Sequence, residues 1–98
     1  MGTILRLIMS EYEMKLRAVF QWCMVCEWSV VDLHMLFSRI SNIWHYRRAW
    51  LDAKTPEMTS LAAWSRDEAY KDLINFCRAR CFPDEIRMAV FWLAEHNR

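Results

Sequence analysis

Residues 29–52 read SVVDLHMLFSRISNIWHYRRAWLD, and this stretch carries the clearest helical pattern of the chain. Its large apolar side chains recur every three or four residues, which places them on one side of an α-helix. They are Leu33, Leu36, Phe37, Ile40, Ile43, Trp44 and Leu51. Ser29 followed by Asp32 is a capping pattern, so the sequence predicts a helix that begins after Ser29 and ends near Asp52.

An apolar stripe of the same period precedes this helix. It comprises Leu5, Ile8, Met9, Tyr12, Leu16, Val19, Phe20, Cys23 and Cys26. The stripe predicts a helix that ends at about Trp28. Its start is open, because it can begin at Thr3 or at the capping pattern of Ser10.

Three further helix starts follow residue 52. Thr55-Pro56-Glu57 combines a cap, a proline at the first helical position and an acid near the helix dipole, and predicts a short helix to Trp64. Ser65 begins a second capping pattern, ahead of the apolar face of Ala69, Tyr70, Leu73, Phe76 and Cys77. Pro83 predicts the last helix, whose inward face is Ile86, Ala89, Val90, Leu93 and Ala94.

The turn chemistry of a β-rich fold is missing from the sequence. Gly2 is the only glycine and there is no Asn-Gly pair, so hairpin turns have no suitable residues. The 98 residues are predicted to form an all-α fold. We expect a single α-helical domain over residues 1–98, a compact helical bundle of four main helices plus one short helix.

The expected location is the cytoplasm. The amino terminus lacks the regions of a signal peptide, and the longest uncharged stretch, residues 18–26, is about half of a membrane span. A chain that is 55% hydrophobic does not need disulfides to fold, so the four cysteines are expected to be reduced. No membrane partner is expected.

The kinds of side chain point to an interaction surface. Ten of the thirteen basic residues are arginines, and the chain has six tryptophans and seven methionines. Trp, Met and Arg are enriched at protein interfaces, where Lys and Glu are depleted. The alternative is that the large residues fill the core.

Apolar residues outside the main stripes suggest where such a surface lies. Met14, Ala18, Val25 and Trp28 form a second stripe on the first helix, which is either central in the bundle or covered by a partner, a second copy included. Met88 and Trp92 point away from the inward face of the last helix, and Trp50 lies near two arginines. The predicted partner-binding residues are Met14, Trp28, Arg47, Arg48, Trp50, Met88 and Trp92.

Motifs for catalysis or metal binding are weak. Cys23 and Cys26, with Cys77 and Cys81, have the spacing of a four-thiolate zinc site, but helical pairs among apolar residues favour reduced core cysteines. His34 and His45 are about 16 Å apart on one helix, too far to share a metal ion. We therefore predict no catalytic residue, no metal and no cofactor, although an enzyme with an Arg/Glu-lined site would leave no signature.

Nucleic-acid binding is a second alternative. Arg78, Arg80 and Arg87 flank the turn at residues 81–83, in the manner of a helix-turn-helix. The net charge of only +1 opposes this interpretation, and so do two acids at the start of the would-be recognition helix. The leading hypothesis is a protein–protein interaction module, or a homodimer, of the kind with which a phage or viral protein binds and blocks a host factor.

Overall fold

The computed structural model describes residues 9–96, which form four α-helices and no strand. Helix α1 spans Glu11–Val25, α2 spans Val30–Asp52, α3 spans Pro56–Ala79 and α4 spans Asp84–Glu95. The all-α prediction is confirmed. In this part of the chain no helix has the length and apolarity needed to cross a bilayer.

Helices α1, α2 and α3 begin after residues whose side chains cap them. The Ser10 hydroxyl accepts a hydrogen bond from the Glu13 amide, and the alternative start at Thr3 lies outside the described residues. Ser29 and Asp32 form the predicted capping box at α2. Thr55 caps α3 with proline at its first position, and α4 starts after Pro83, so these three predictions are confirmed.

The predicted break at Ser65 is wrong. Residues 56–79 form one helix of 24 residues, so the short helix is part of α3. The Ser65 pattern lacks a proline or glycine that would interrupt the ladder, and extending a helix adds one hydrogen bond per residue without the cost of a new nucleus. Alanines at positions 62, 63 and 69 favour continuation.

Helices α1 and α3 end in the same way, although neither has a glycine there. Glu27 and Cys81 adopt left-handed backbone conformations, with φ of 57° and 56°. The amide after each donates back to the carbonyl of a cysteine, Trp28 to Cys23 and Phe82 to Cys77, both at 3.0 Å. These bonds are those of a Schellman motif, and they turn the chain sharply into the next helix.

Helices α2 and α3 form an antiparallel hairpin against which α1 and α4 pack. Arg39 pairs with Asp72 at 3.2 Å near the middle of the hairpin, and Arg80 pairs with Asp32 at 3.0 Å near its base. Helix α4 lies between α1 and α2. The fully buried large side chains are Val19, Cys23, Leu36, Ile43, Leu73, Cys77, Val90 and Leu93.

The hairpin is longer than the layer that covers it. At 1.5 Å per residue, α2 and α3 are each about 35 Å long, whereas α4 is about 18 Å long. Helix α4 stops where the Glu95 carbonyl accepts a hydrogen bond from Arg47 at 2.6 Å. The bundle is less compact than expected. Its radius of gyration is 15.7 Å, whereas a compact domain of this size has a radius of about 12.6 Å. We call residues 44–66 the projecting half of the hairpin.

Candidate interaction surface

Trp28 lies in an aromatic cluster that joins the two Schellman corners. Its ring is 5.5 Å from that of Phe82 and 6.0 Å from that of Phe76, measured between centroids. The Arg80 guanidinium lies 5.1 Å from the Trp28 ring and also pairs with Asp32. Hydrogen bonds from the Ser29 amide and hydroxyl and from Arg80 lower the pKa of the Asp32 carboxyl below its usual value. Trp28 thus connects the ends of α1 and α3.

The other predicted contact residues divide into two groups. Met14 and Met88 are exposed on α1 and α4, far from each other in sequence, and Trp92 is half-buried against Tyr12 and stacked on His96. Arg47, Arg48 and Trp50 lie together on the last turns of α2. The structure places the second group on one short segment of α2, and the role of both groups in binding stays a prediction.

The end of α2 continues the buried stripe, and no helix among residues 9–96 covers it there. We call Trp44, Arg47, Trp50 and Leu51, with Arg48 at their edge, the inner tip. The inner tip occupies the same sector of α2 as the buried Leu36, Ile40 and Ile43, within about 120° at 3.6 residues per turn. Trp44 and Leu51, which the sequence places with the core, are 38% and 66% exposed because α4 ends before it reaches them.

Arginines surround the apolar side chains of the inner tip. The Arg66 guanidinium lies 5.1 Å from the Trp50 ring, and Arg48 pairs with Asp52 at 3.3 Å. Arg47 donates to a main-chain carbonyl and has no carboxylate within ion-pair distance among residues 9–96. The projecting half carries four basic and two acidic side chains, and Asp67, which pairs with Arg66 at 3.3 Å, brings the net charge of residues 44–67 to +1. A negatively charged group is therefore favoured at Arg47 rather than along the whole segment.

A second apolar surface lies on the other side of the hairpin, and the sequence analysis missed it. A cavity of about 220 Å³ is lined by His45, Tyr46, Ala49, Met58, Leu61, Ala62 and Ser65, which we call the outer groove. The residues that α3 contributes to the groove recur at the helical period: Met58, Leu61, Ala62 and Ser65. The predicted helix break at Ser65 divides this pattern, which is why the sequence does not reveal the groove. Trp64, 63% exposed, lies one turn beyond Leu61 on α3.

The second stripe of α1 is partly exposed. Met14 and Val25 are 53% and 81% exposed, whereas Ala18 is half-buried. Within the described residues, α1 therefore has a neighbour on one side only, and it is not the central helix of the bundle. Its outer side is interrupted by Gln21, which makes it less continuous than the inner tip.

The cysteines lie at the corners. Cys23 and Cys77 are buried, and burial raises the pKa of each thiol to about 11. Cys26 and Cys81 are exposed, and all four are free thiols. Among residues 9–96, His, Cys, Asp and Glu side chains form no group of three that would hold a metal ion. A protonated, buried thiol is a poor ligand and a poor nucleophile at neutral pH.

Two of the three arginines that suggested nucleic-acid binding, Arg80 and Arg87, are engaged within the chain. Arg80 pairs with Asp32, and Arg87 pairs with Asp84 at 2.9 Å. A phosphate would have to compete with these carboxylates. The cavity beside them, about 170 Å³, is lined by Ile74, Cys77, Arg78, Cys81, Phe82 and Arg87. This lining lacks the carboxylate that an Arg/Glu-lined catalytic site would need.

Neither a protein-family model, nor a curated protein, nor a solved structure matches this chain significantly. The argument about function therefore rests on the geometry and chemistry of its surfaces.

Proposed function

We propose that this protein is an interaction module that binds a partner polypeptide at the inner tip. The observation that carries the proposal is that the core stripe of α2 continues past the end of α4. Among residues 9–96, Trp50 and Leu51 are left 40% and 66% exposed at the end of the hairpin. An exposed apolar patch with a charged rim is the usual mark of a protein contact in a chain that folds as a monomer.

The chemistry of the rim supports a partner segment that is apolar and acidic. Among residues 9–96, the Arg47 guanidinium donates to the main-chain carbonyl of Glu95 and to no carboxylate. Arg47 lies one helical turn from Trp50. A carboxylate of the partner would gain a charge-assisted hydrogen bond there while its apolar neighbours cover Trp44 and Leu51. The positive charge of Arg47 would attract such a segment to the tip.

Binding of this kind would act by occlusion. A module without catalytic groups at its contact surface changes its partner by covering part of it, as a phage or viral protein does when it blocks a host factor. Trp50 and Arg47 are of the types that dominate interface energies. We expect Trp50→Ala to weaken binding by about 2 kcal/mol or more.

Site-specific photo-cross-linking tests the proposal. A benzophenone amino acid is placed at position 51, or at position 24 as a control, because Leu51 and Met24 are 66% and 70% exposed and lie at opposite ends of the fold. In lysate, position 51 is expected to capture a discrete protein that position 24 does not capture. Mass spectrometry is expected to place the adduct on an apolar segment with Asp or Glu.

Competition by unlabelled protein distinguishes specific from non-specific binding. Excess unlabelled wild type and Met24→Glu should suppress the adduct at position 51, whereas Leu51→Glu and Arg47→Ala should suppress it poorly. If Leu51→Glu competes as well as the wild type does, or if both positions capture the same proteins, the inner tip is not a binding site.

A further inference from the structure

We propose that the corner between α1 and α2 is a redox switch, in which Cys23 and Cys26 form a reversible disulfide within the chain. This corner lies at the opposite end of α2 from the inner tip, so the switch is independent of the proposed function. Three features carry it: the spacing of the two thiols at a helix end, their opposite exposure and the hydrogen bonds that hold the corner.

Cys23 and Cys26 lie within reach of each other. Helix α1 ends at Val25 and Cys26 is its C-cap, so the two cysteines are three residues apart across the last turn. This spacing puts their Cα atoms about 5 Å apart, inside the range of about 4.4–6.8 Å found in disulfides. The Cβ atoms, about 5–6 Å apart on an α-helix, have to approach to about 3.8 Å. Only the last turn has to move.

A tighter last turn brings the two side chains together. Residues three apart are about 60° from each other around an α-helix, whereas they lie in line in a 3₁₀-helix. The end of α1 already contains one bond of 3₁₀ spacing, from the Glu27 amide to the Met24 carbonyl at 3.0 Å. Closing the disulfide exchanges the bond from the Cys26 amide to the Trp22 carbonyl for one to the Cys23 carbonyl. The 3₁₀ turn then extends by one residue.

The two thiols take different parts in exchange with a small-molecule disulfide such as oxidised glutathione. The exposed Cys26, as its thiolate, attacks one sulfur of the oxidant, which releases one glutathione thiolate and leaves a mixed disulfide on Cys26. Cys23 then gives its proton to solvent and attacks the Cys26 sulfur, which releases the second glutathione. The chain loses two electrons and two protons, and the oxidant gains them as two thiols.

Burial makes the second step slow. Cys23 is 1% exposed, and burial, followed by the neighbouring Cys26 and Asp32, raises the pKa of its thiol to about 11. The last turn of α1 therefore has to open before Cys23 reacts. We expect the mixed disulfide on Cys26 to form first, and the disulfide within the chain to follow over minutes to hours, as in uncatalysed exchange.

The disulfide loosens the contacts of Trp28. In the reduced chain the Trp28 amide donates to the Cys23 carbonyl at 3.0 Å, and its ring lies 5.6 Å from that of Trp22. Turning the Cys23 sulfur toward Cys26 withdraws a packed side chain from the core and rotates the turn that holds this carbonyl. Oxidation thus weakens the attachment of α1 to the aromatic cluster.

The corner between α3 and α4 lacks this geometry. Cys77 and Cys81 are four residues apart, and Cys81 lies beyond α3 in a left-handed conformation. Tightening toward a 3₁₀ turn moves side chains at this spacing from about 40° to about 120° apart around the helix axis. We therefore expect exchange at Cys81 to stop at the mixed disulfide, and the second corner provides a control.

Oxidised glutathione, in excess over the folded protein, tests the proposal in two matched variants. Cys81→Ser is expected to lose two hydrogen atoms and retain no glutathione, with the disulfide mapped by mass spectrometry to the peptide that contains Cys23 and Cys26. Cys26→Ser should instead carry one glutathione, on Cys81, and form no disulfide within the chain. Circular dichroism checks that each variant is helical before oxidation.

Hydrogen exchange measures the conformational effect. In oxidised Cys81→Ser the Trp28 amide should exchange about tenfold faster than in the reduced chain, the effect of losing about one hydrogen bond, and dithiothreitol should restore the slow rate. A mixed disulfide that persists on Cys26 overturns the proposal, as does a disulfide that forms only in urea or between two chains. An unchanged exchange rate at Trp28 in the oxidised chain also overturns it, because the disulfide would then switch nothing.

Discussion

Two residues with a Cβ atom occupy backbone conformations that favour glycine. Glu27 and Cys81 have positive φ at the ends of α1 and α3, and each is exposed. Left-handed conformation costs a non-glycine residue about 1–2 kcal/mol. Burial of an aromatic ring after each corner offsets this cost. The rings are Trp28 after Glu27 and Phe82 after Cys81, and their contacts with the core hold the Schellman geometry.

Glycine at either corner should therefore stabilise the protein. We expect Glu27→Gly and Cys81→Gly each to raise the free energy of unfolding by roughly 0.5–1 kcal/mol, because glycine removes the steric strain but loses more chain entropy on folding. Urea denaturation measures the change. Cys26→Gly is the control, since Cys26 has a φ of −82° and gains nothing from glycine. Equal effects at positions 26 and 27 would contradict the strain argument.

The four thiols should react in two pairs. Ellman's reagent at neutral pH is expected to modify the exposed Cys26 and Cys81 rapidly, and Cys23 and Cys77 only on unfolding, since burial raises the pKa of both buried thiols to about 11. The double variant Cys26→Ser/Cys81→Ser should show no rapid phase. Reaction of all four at one rate would show that the core opens readily.

The same pKa values set the alkaline limit of stability. The thiol pKa is raised from 9.0 in an exposed thiol to about 11 in the folded chain, for Cys23 and Cys77 alike. The folded state then holds these protons more tightly than the unfolded state does. Their contribution to stability is fully present below pH 9 and is lost as pH rises through about 11.

At the scale of the helix, capping patterns identify where a helix begins better than they identify where it continues. Ser29, Thr55 and Pro83 precede helices, as their sequences predict, because a cap depends only on the next three or four residues. Ser65 carries the same kind of signal inside α3. A serine hydroxyl that can cap does not interrupt a helix whose backbone hydrogen bonds are already formed.

Two alanine substitutions test this difference. Thr55→Ala should lower the free energy of unfolding by about 1 kcal/mol, because the Thr55 hydroxyl accepts a hydrogen bond from the Met58 amide at 3.2 Å. Ser65→Ala should be neutral or raise it by about 0.5 kcal/mol, because alanine is the better residue inside a helix. Thermal or urea unfolding measures both. A loss at Ser65 as large as that at Thr55 would indicate a helix start there.

For the whole molecule, the lengths of the helices decide which apolar residues are core. Trp44 and Leu51 belong to the same stripe as Leu36, and nothing local distinguishes them. They are exposed because α4 has 12 residues and α2 has 23. A surface that looks like core in the sequence thus becomes the inner tip.

Truncation of Trp28 is expected to lower mainly the stability, whereas truncation of Trp50 is expected to lower mainly the binding. Trp28→Ala removes a ring that contacts Trp22, Phe76 and Phe82, and is expected to cost about 3 kcal/mol of stability. Trp50→Ala should cost less than about 1 kcal/mol, since Trp50 is 40% exposed, while it weakens capture at the inner tip. Calorimetry and the cross-linking competition measure the two effects. Unfolding by Trp50→Ala would place that residue in the core.

The helical class, the positions of the caps and the inward faces of α3 and α4 can be predicted from the sequence, since they follow from hydrogen bonds and periodicity within a few residues. Three features appear only in the folded chain: residues 56–79 are one helix, two corners turn without glycine around Trp28 and Phe82, and the hairpin extends beyond α4. The physical reason is that burial and strain depend on which distant segments meet. The inner tip exists because α4 ends beside Arg47, and the sequence of α2 carries no sign of where another helix stops.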